Sequence, residues 1–149
     1  MSPFSHILVL LDCSSADEAI IKLVLKLVEG SPTRVTLVHV VHSHTLDQDR
    51  ALKEKADAYL LEKKQAFLAV TSQVQVLLLS GEPEVELVKE IRQGPYDLVA
   101  LGTHGHKGFS DVLLGSVSKH LKHEVSTPLL MVKEDPSFLP MKEESAEEK

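Results

Sequence analysis

An α/β domain on a doubly wound, five-stranded parallel sheet is the fold this sequence predicts, and three observations predict it. Five strand-sized apolar segments recur along the 149 residues. The stretches between them repeat their apolar residues at helical spacing. The first segment, Ile7 to Leu11, is apolar without interruption, as a strand covered on both faces must be. Such β-α-β alternation calls for parallel strands with helices on both faces, and right-handed crossovers narrow the topologies. The order expected among them is 3-2-1-4-5, with a switch point between the first and fourth strands. Ligands of such sheets bind in that crevice, beyond the carboxyl ends of the strands.

Each element has its own signal. Ser15 and Glu18 stand at the spacing of a capping box, so the first helix is expected to begin there. Ile20, Leu23, Val24, Leu27 and Val28 make its apolar face, and Gly30-Ser31-Pro32 ends it. Arg34 to Val41 (RVTLVHVV) is rich in β-branched residues and forms the second strand. After a connection rich in His and Asp, a helix from about Asp49 to Val70 carries Leu52, Ala56, Leu60 and Phe67 on one side. Val74 to Leu79 is the third strand. Pro83 suits a first helical turn, with Glu82 and Glu84 favourable near its positive end. Leu87, Val88 and Ile91 give that helix its buried side, and Gly94-Pro95 stops it. Asp97 to Leu101 is the fourth strand. A short helix from about Ser116 to His123 then leads to the fifth, Leu129 to Val132.

The length allows one domain, residues 1–133. The tail, residues 134–149, carries a net charge of −4 out of the chain's −6, contains two prolines and shows no sustained periodicity. It is expected to be disordered. The nearly neutral body lacks a long basic stripe, which argues against nucleic acid as a partner. Apolar runs are too short for a membrane span, and the N-terminus lacks the pattern of a signal peptide. Cys13 is the single cysteine, so neither a disulfide framework nor a Cys-based zinc site is possible. A cytoplasmic setting is expected.

The loop after the fourth strand carries the functional signal. Residues 102–118 read GTHGHKGFSDVLLGSVS, giving the pattern G-x2-G-x9-G-S from Gly102, Gly105 and Gly115-Ser116. Gly102 would let a ligand approach the strand end without a Cβ in the way. Gly105 would allow positive φ, so that successive N–H groups converge on an anion. Gly115-Ser116 would open the last helix, whose free N–H groups and positive dipole end favour phosphate, with the Ser116 and Ser118 hydroxyls as further donors. The glycines alone fit a plain flexible connection equally well, and it is their place at the switch point that favours phosphate. No G-x4-G-K-[ST] signature and no dinucleotide fingerprint is present; Asp12-Cys13-Ser14-Ser15 stands after the first strand instead.

The sequence GTHGHKGFSDVLLGSVSKHLKHEVSTPLLMVK, with HILVLLDCS near the start and LVHVV in the second strand, resembles the universal stress protein family from about His6 to Lys133. The resemblance implies an adenine nucleotide alpha hydrolase-like fold and, because the glycine pattern is complete, ATP binding. It further implies that Asp12 sits beside the nucleotide and that Val40 lines the adenine pocket with backbone hydrogen bonds. Leu101 and Gly102 would flank adenine and ribose, and His104 and Gly105 would reach ribose and phosphates. Gly115, Ser116, Val117 and Ser118 would hold the phosphates, with Mg²⁺ riding on them rather than in a protein cage. Leu10 departs from the proline of some nucleotide-binding relatives. The resemblance also implies a homodimer through the edge strand Pro128 to Val132, an apolar edge that invites pairing.

Other residues invite other chemistry. His42-Ser43-His44 and His104-Gly105-His106 suggest a metal, yet neither has an evident third ligand. His39 is expected to be a packed, hydrogen-bonded side chain. Asp12 could serve as a magnesium ligand, a general base or a cap for the first helix, and Cys13 could be redox-sensitive or simply buried. No base–nucleophile pair can be assigned, and Lys107 is the one nearby cation for a transferring phosphoryl group. Three functions therefore stand side by side. The first is an ATP-binding regulatory module acting in stress response. The second is an enzyme with at most weak ATP hydrolysis or phosphotransfer, and the third a nucleotide-free dimeric scaffold.

Overall fold

A computed structural model of the chain describes residues 4–43, 45–103 and 111–133; for residue 103 and residues 111–116 it describes the backbone. Five strands, β1 (His6–Leu10), β2 (Arg34–Val41), β3 (Val74–Ser80), β4 (Leu98–Thr103) and β5 (Leu129–Lys133), form one sheet in the order β3-β2-β1-β4-β5. Every pairing is parallel. The predicted fold class and strand order are the observed ones. Among the described residues, no helix is long and apolar enough to cross a membrane.

The uninterrupted apolar run of β1 is explained by its place at the centre of the sheet, where all five residues are buried. Ile7, Val9 and Leu11 point into one core and Leu8 and Leu10 into the other. Helices α1 (Asp17–Val28) and α2 (Leu46–Leu68) cover the first face, α1 over β4 and β5 and α2 over β2 and β3. Helices α3 (Pro83–Gln93) and α4 (Asp111–Glu124) cover the second. Arg92 ties α3 to the end of α4 by donating to the Glu124 carbonyl at 2.6 Å and to its carboxylate at 3.1 Å.

Below the sheet, at the amino ends of the strands, Asp97 takes the N–H groups of Ser5 and His6 at 2.7 and 3.0 Å. The buried His6 ring lies 2.8 Å from the Thr36 hydroxyl and edge-on to Tyr96. This cluster fixes how β1, β2 and β4 start together.

The starts of α1 and α2 differ from the sequence expectation, each for a local reason. The N-cap of α1 falls on Ala16, one residue after Ser15, and no side chain caps it. Asp17 folds back instead and takes over the preceding turn. Helix α2 starts earlier than expected, at Leu46, because the Thr45 hydroxyl accepts the Gln48 N–H at 3.0 Å and so caps it. Helix α3 matches, with Pro83 in its first turn and Gly94 at its end.

The larger correction concerns α4. It begins at Asp111 rather than Ser116, so Gly115-Ser116 lies inside the helix instead of opening it. Asp111 is favoured at the positive end, Val112 to Leu114 are compatible with helix, and one interior glycine costs only about 1 kcal/mol. That is too little to stop a helix which Val117 and Leu121 anchor in the core.

Candidate functional site

The carboxyl ends of β1 and β2 and the first turns of α3 border a crevice on the second face of the sheet. Asp12, Val40 and Val117 line it together with Leu10, Pro83 and Leu87. Its free interior is small, about 20 Å³. Three separately predicted residues thus meet at one place. Asp12 comes from the turn after β1, Val40 from β2 and Val117 from α4, and parallel pairing of the strands is what brings them to the same end of the sheet. Leu101 is fully buried beneath, packed in the same core as Val40 and Val117. Ser118 is buried next to Val117.

Gly102 has a different reason to be glycine from the one expected. A Cβ there would run into the carbonyl oxygen of Ala16 at the start of α1, with Ile20 just beyond. Its close neighbour is therefore the protein's own backbone rather than a ligand. His104 and Gly105 lie outside the described residues, as do His44, His106 and Lys107, and of Gly115 and Ser116 only the helical backbone is described. Convergence of amides around Gly105 and Ser116 thus falls outside the described structure.

His39 behaves as expected of a packed side chain, donating from Nδ1 to the Leu11 carbonyl at 2.8 Å and so tying β2 to the end of β1. His42 donates from Nδ1 to the Gly81 carbonyl at 3.2 Å and has Glu82 at 3.8 Å.

What sequence reasoning missed is Asp17. The residue is fully buried in the first turn of α1, yet its carboxylate accepts three hydrogen bonds. Oδ1 takes the Asp12 N–H at 2.8 Å, while Oδ2 takes the Cys13 N–H at 2.8 Å and the Tyr59 hydroxyl at 2.7 Å. Burial raises the Asp17 pKa above the usual carboxylate value, and the N–H groups of Asp12, Cys13 and Ser14 with the Tyr59 hydroxyl offset only part of that rise. With these donors aimed at it, the carboxylate form is the one the surroundings satisfy. Cys13, at φ 60°, is the non-glycine residue in the left-handed region among those described. That conformation turns its N–H and that of Asp12 toward one point, the arrangement of an anion nest. The nest is filled by Asp17 itself, so a phosphate has no place there. A signal did exist in the sequence: an acid five residues after Asp12, at a position of helix α1 that faces the sheet.

Cys13 is held protonated. Burial, then the negative charges of Asp17 and Asp12, push its thiol up to about 12. Of the two possibilities the sequence left open for it, a reactive thiol is the one this environment opposes. Asp12 accepts the Ser14 hydroxyl at 3.3 Å. The cap role open to it is not the one seen, since the N-cap of α1 is Ala16.

Comparison with known proteins gives a consistent outcome. The sequence profile of the universal stress protein family matches residues 3–133. The chain is 29% identical over 82 residues to universal stress protein MJ0577 of Methanocaldococcus jannaschii, covering 55% of this chain and 51%, about half, of that protein. It is 26% identical over 108 residues to universal stress protein YxiE of Bacillus subtilis, covering 70% and 73% of the two. The solved structure of MJ0577 superposes with a TM-score of 0.73 at 26% identity over 87% of this chain and 95% of that one. The universal stress protein from Archaeoglobus fulgidus in complex with dAMP shares the fold, with a TM-score of 0.66 at 18% identity over 87% and 98%.

Proposed function

Because the chain belongs to the universal stress protein family, we propose that it is a cytoplasmic, ATP-binding regulatory module that acts in stress response as a homodimer. The observation carrying this is the meeting of Asp12, Val40 and Val117 around one crevice at the carboxyl end of the sheet, where nucleotides enter doubly wound folds. The crevice walls suit the adenine end: Leu10, Val40, Leu87 and Val117 are apolar and buried, and the purine would part them, since the free space is water-sized. The nest at Asp12 and Cys13 is already filled, so the phosphates would lie toward α4, on the side of Gly115, Ser116 and Ser118. Mg²⁺ would ride on those phosphates, with Asp12 a candidate protein ligand for it. His104 and Gly105 would complete the ribose and phosphate contacts. The dAMP held by the A. fulgidus protein supports an adenine ligand.

Native mass spectrometry of freshly purified protein, followed by calorimetry with Mg-ATP and Mg-AMP, tests the proposal. Co-purifying adenine nucleotide and saturable binding are expected. If neither method detects binding, the nucleotide-free scaffold replaces it.

A further inference from the structure

The contacts of Asp17 have a use beyond closing a turn. This carboxylate sits between two elements, the crevice-lining turn at Asp12 and helix α2 at Tyr59. Each oxygen is committed: Oδ1 to the Asp12 N–H, Oδ2 to the Cys13 N–H and the Tyr59 hydroxyl. Rotation of the carboxylate about its own axis would break at least one charge-assisted bond. The turn it holds is one that costs energy to form, because Cys13 occupies the left-handed region without being glycine. Such a bend persists only where its surroundings impose it. Tyr59 itself is anchored by packing against the first core and by Lys63 over its ring.

We propose that Asp17 is the positioning residue for Asp12 in the nucleotide site, with Tyr59 as its latch on α2. Asp17 touches no ligand. It acts by fixing the backbone that places Asp12 at the crevice, and Tyr59 acts by holding Asp17. The inference rests on the adenine-nucleotide proposal above and adds to it a route by which α2 bears on the site.

A double-mutant cycle on the full-length protein tests this, with Mg-ATP as the probe and affinity read by calorimetry. Asp17→Asn presents a donor where at least one N–H already points, and is expected to weaken binding about tenfold. Tyr59→Phe removes one hydroxyl and is expected to weaken it about threefold. In an Asp12→Asn background neither change should weaken binding further, while each should lower the melting temperature as much as it does in the parent. Equal losses of affinity in both backgrounds would overturn the proposal and leave Asp17 a purely structural residue. So would folded variants that bind like the parent. If Asp17→Asn fails to fold, the Tyr59→Phe cycle decides alone. A parent protein that binds no Mg-ATP is a different failure, which removes the nucleotide proposal and the positioning role with it.

Discussion

At the scale of single residues, burial decides which ionisable groups matter, and it does so out of sight of sequence patterns. His6 is the clearest case. Burial lowers its pKa below 6.5, the charge of Arg34 lowers it further, and Asp97 opposes them in part. A group with a depressed folded pKa gives stability that is whole above its unfolded value and is lost as pH falls through the folded one. The His6 contribution should therefore fade as pH drops below about 6.5, where the unfolded chain takes up the proton more readily than the folded one. Thermal unfolding between about pH 7.5 and pH 5 should show a steeper fall for the parent than for His6→Phe, which keeps a ring against Tyr96 but cannot titrate. Parallel curves would remove His6 from that role. Asp12 is legible in the sequence because it ends an apolar run at a predicted switch point. Asp17 is marked only by its place on the sheet-facing side of α1, a signal easily passed over because an acid in the first turn of a helix is ordinarily explained by the dipole. Only the path of the chain shows that its carboxylate turns inward to the preceding amides.

At the scale of elements, strands are legible almost to the residue and helix starts, that of α3 apart, are not. A strand in a parallel sheet is marked by its own composition, as β1 and β2 are. A helix start depends on which nearby group captures the first N–H bonds, and several compete here. Ser15 loses to Ala16 as the N-cap of α1, and Thr45 brings α2 forward. Placing Gly115 within α4 yields a two-sided prediction. Gly115→Ala should raise stability by about 1 kcal/mol through helix propensity. Gly115→Val should abolish Mg-ATP binding by crowding the phosphates while the protein stays folded. Calorimetry and urea unfolding on the same samples separate the two effects, and a valine variant that binds ATP unchanged would clear Gly115 of a role in the site. Gly102 is an element-scale residue too, since it sets how closely α1 approaches β4. Gly102→Ala should cost about 2 kcal/mol or more in urea unfolding, because the obstacle is a backbone carbonyl rather than a yielding side chain.

For the molecule as a whole, fold class and strand order are legible because alternation and handedness leave few arrangements. The proposed ligand cradle is legible only in part. Its apolar wall follows from strands that can be placed, whereas its phosphate side depends on a glycine pattern compatible with many backbone paths. The sheet ends in two edges, β3 and β5, and both leave an apolar side chain half in water, Val76 at 38% and Met131 at 39% exposure. The proposed homodimer would form through β5, by antiparallel pairing of Pro128 to Val132 across a two-fold axis. Met131→Lys should then shift sedimentation from dimer toward monomer with little loss of melting temperature, charge being what natural edge strands use to avoid pairing. A parent that sediments as a monomer at tens of micromolar would refute the dimer outright. The meeting of Gly102 with Ala16 also limits where room for a guest can come from. At the end of β4, strand and helix touch without clearance, like a lintel resting on its post. A purine wedged into the opposite face cannot make space by driving that strand toward α1. The give must come from the other wall, by α3 and α4 spreading away from the sheet.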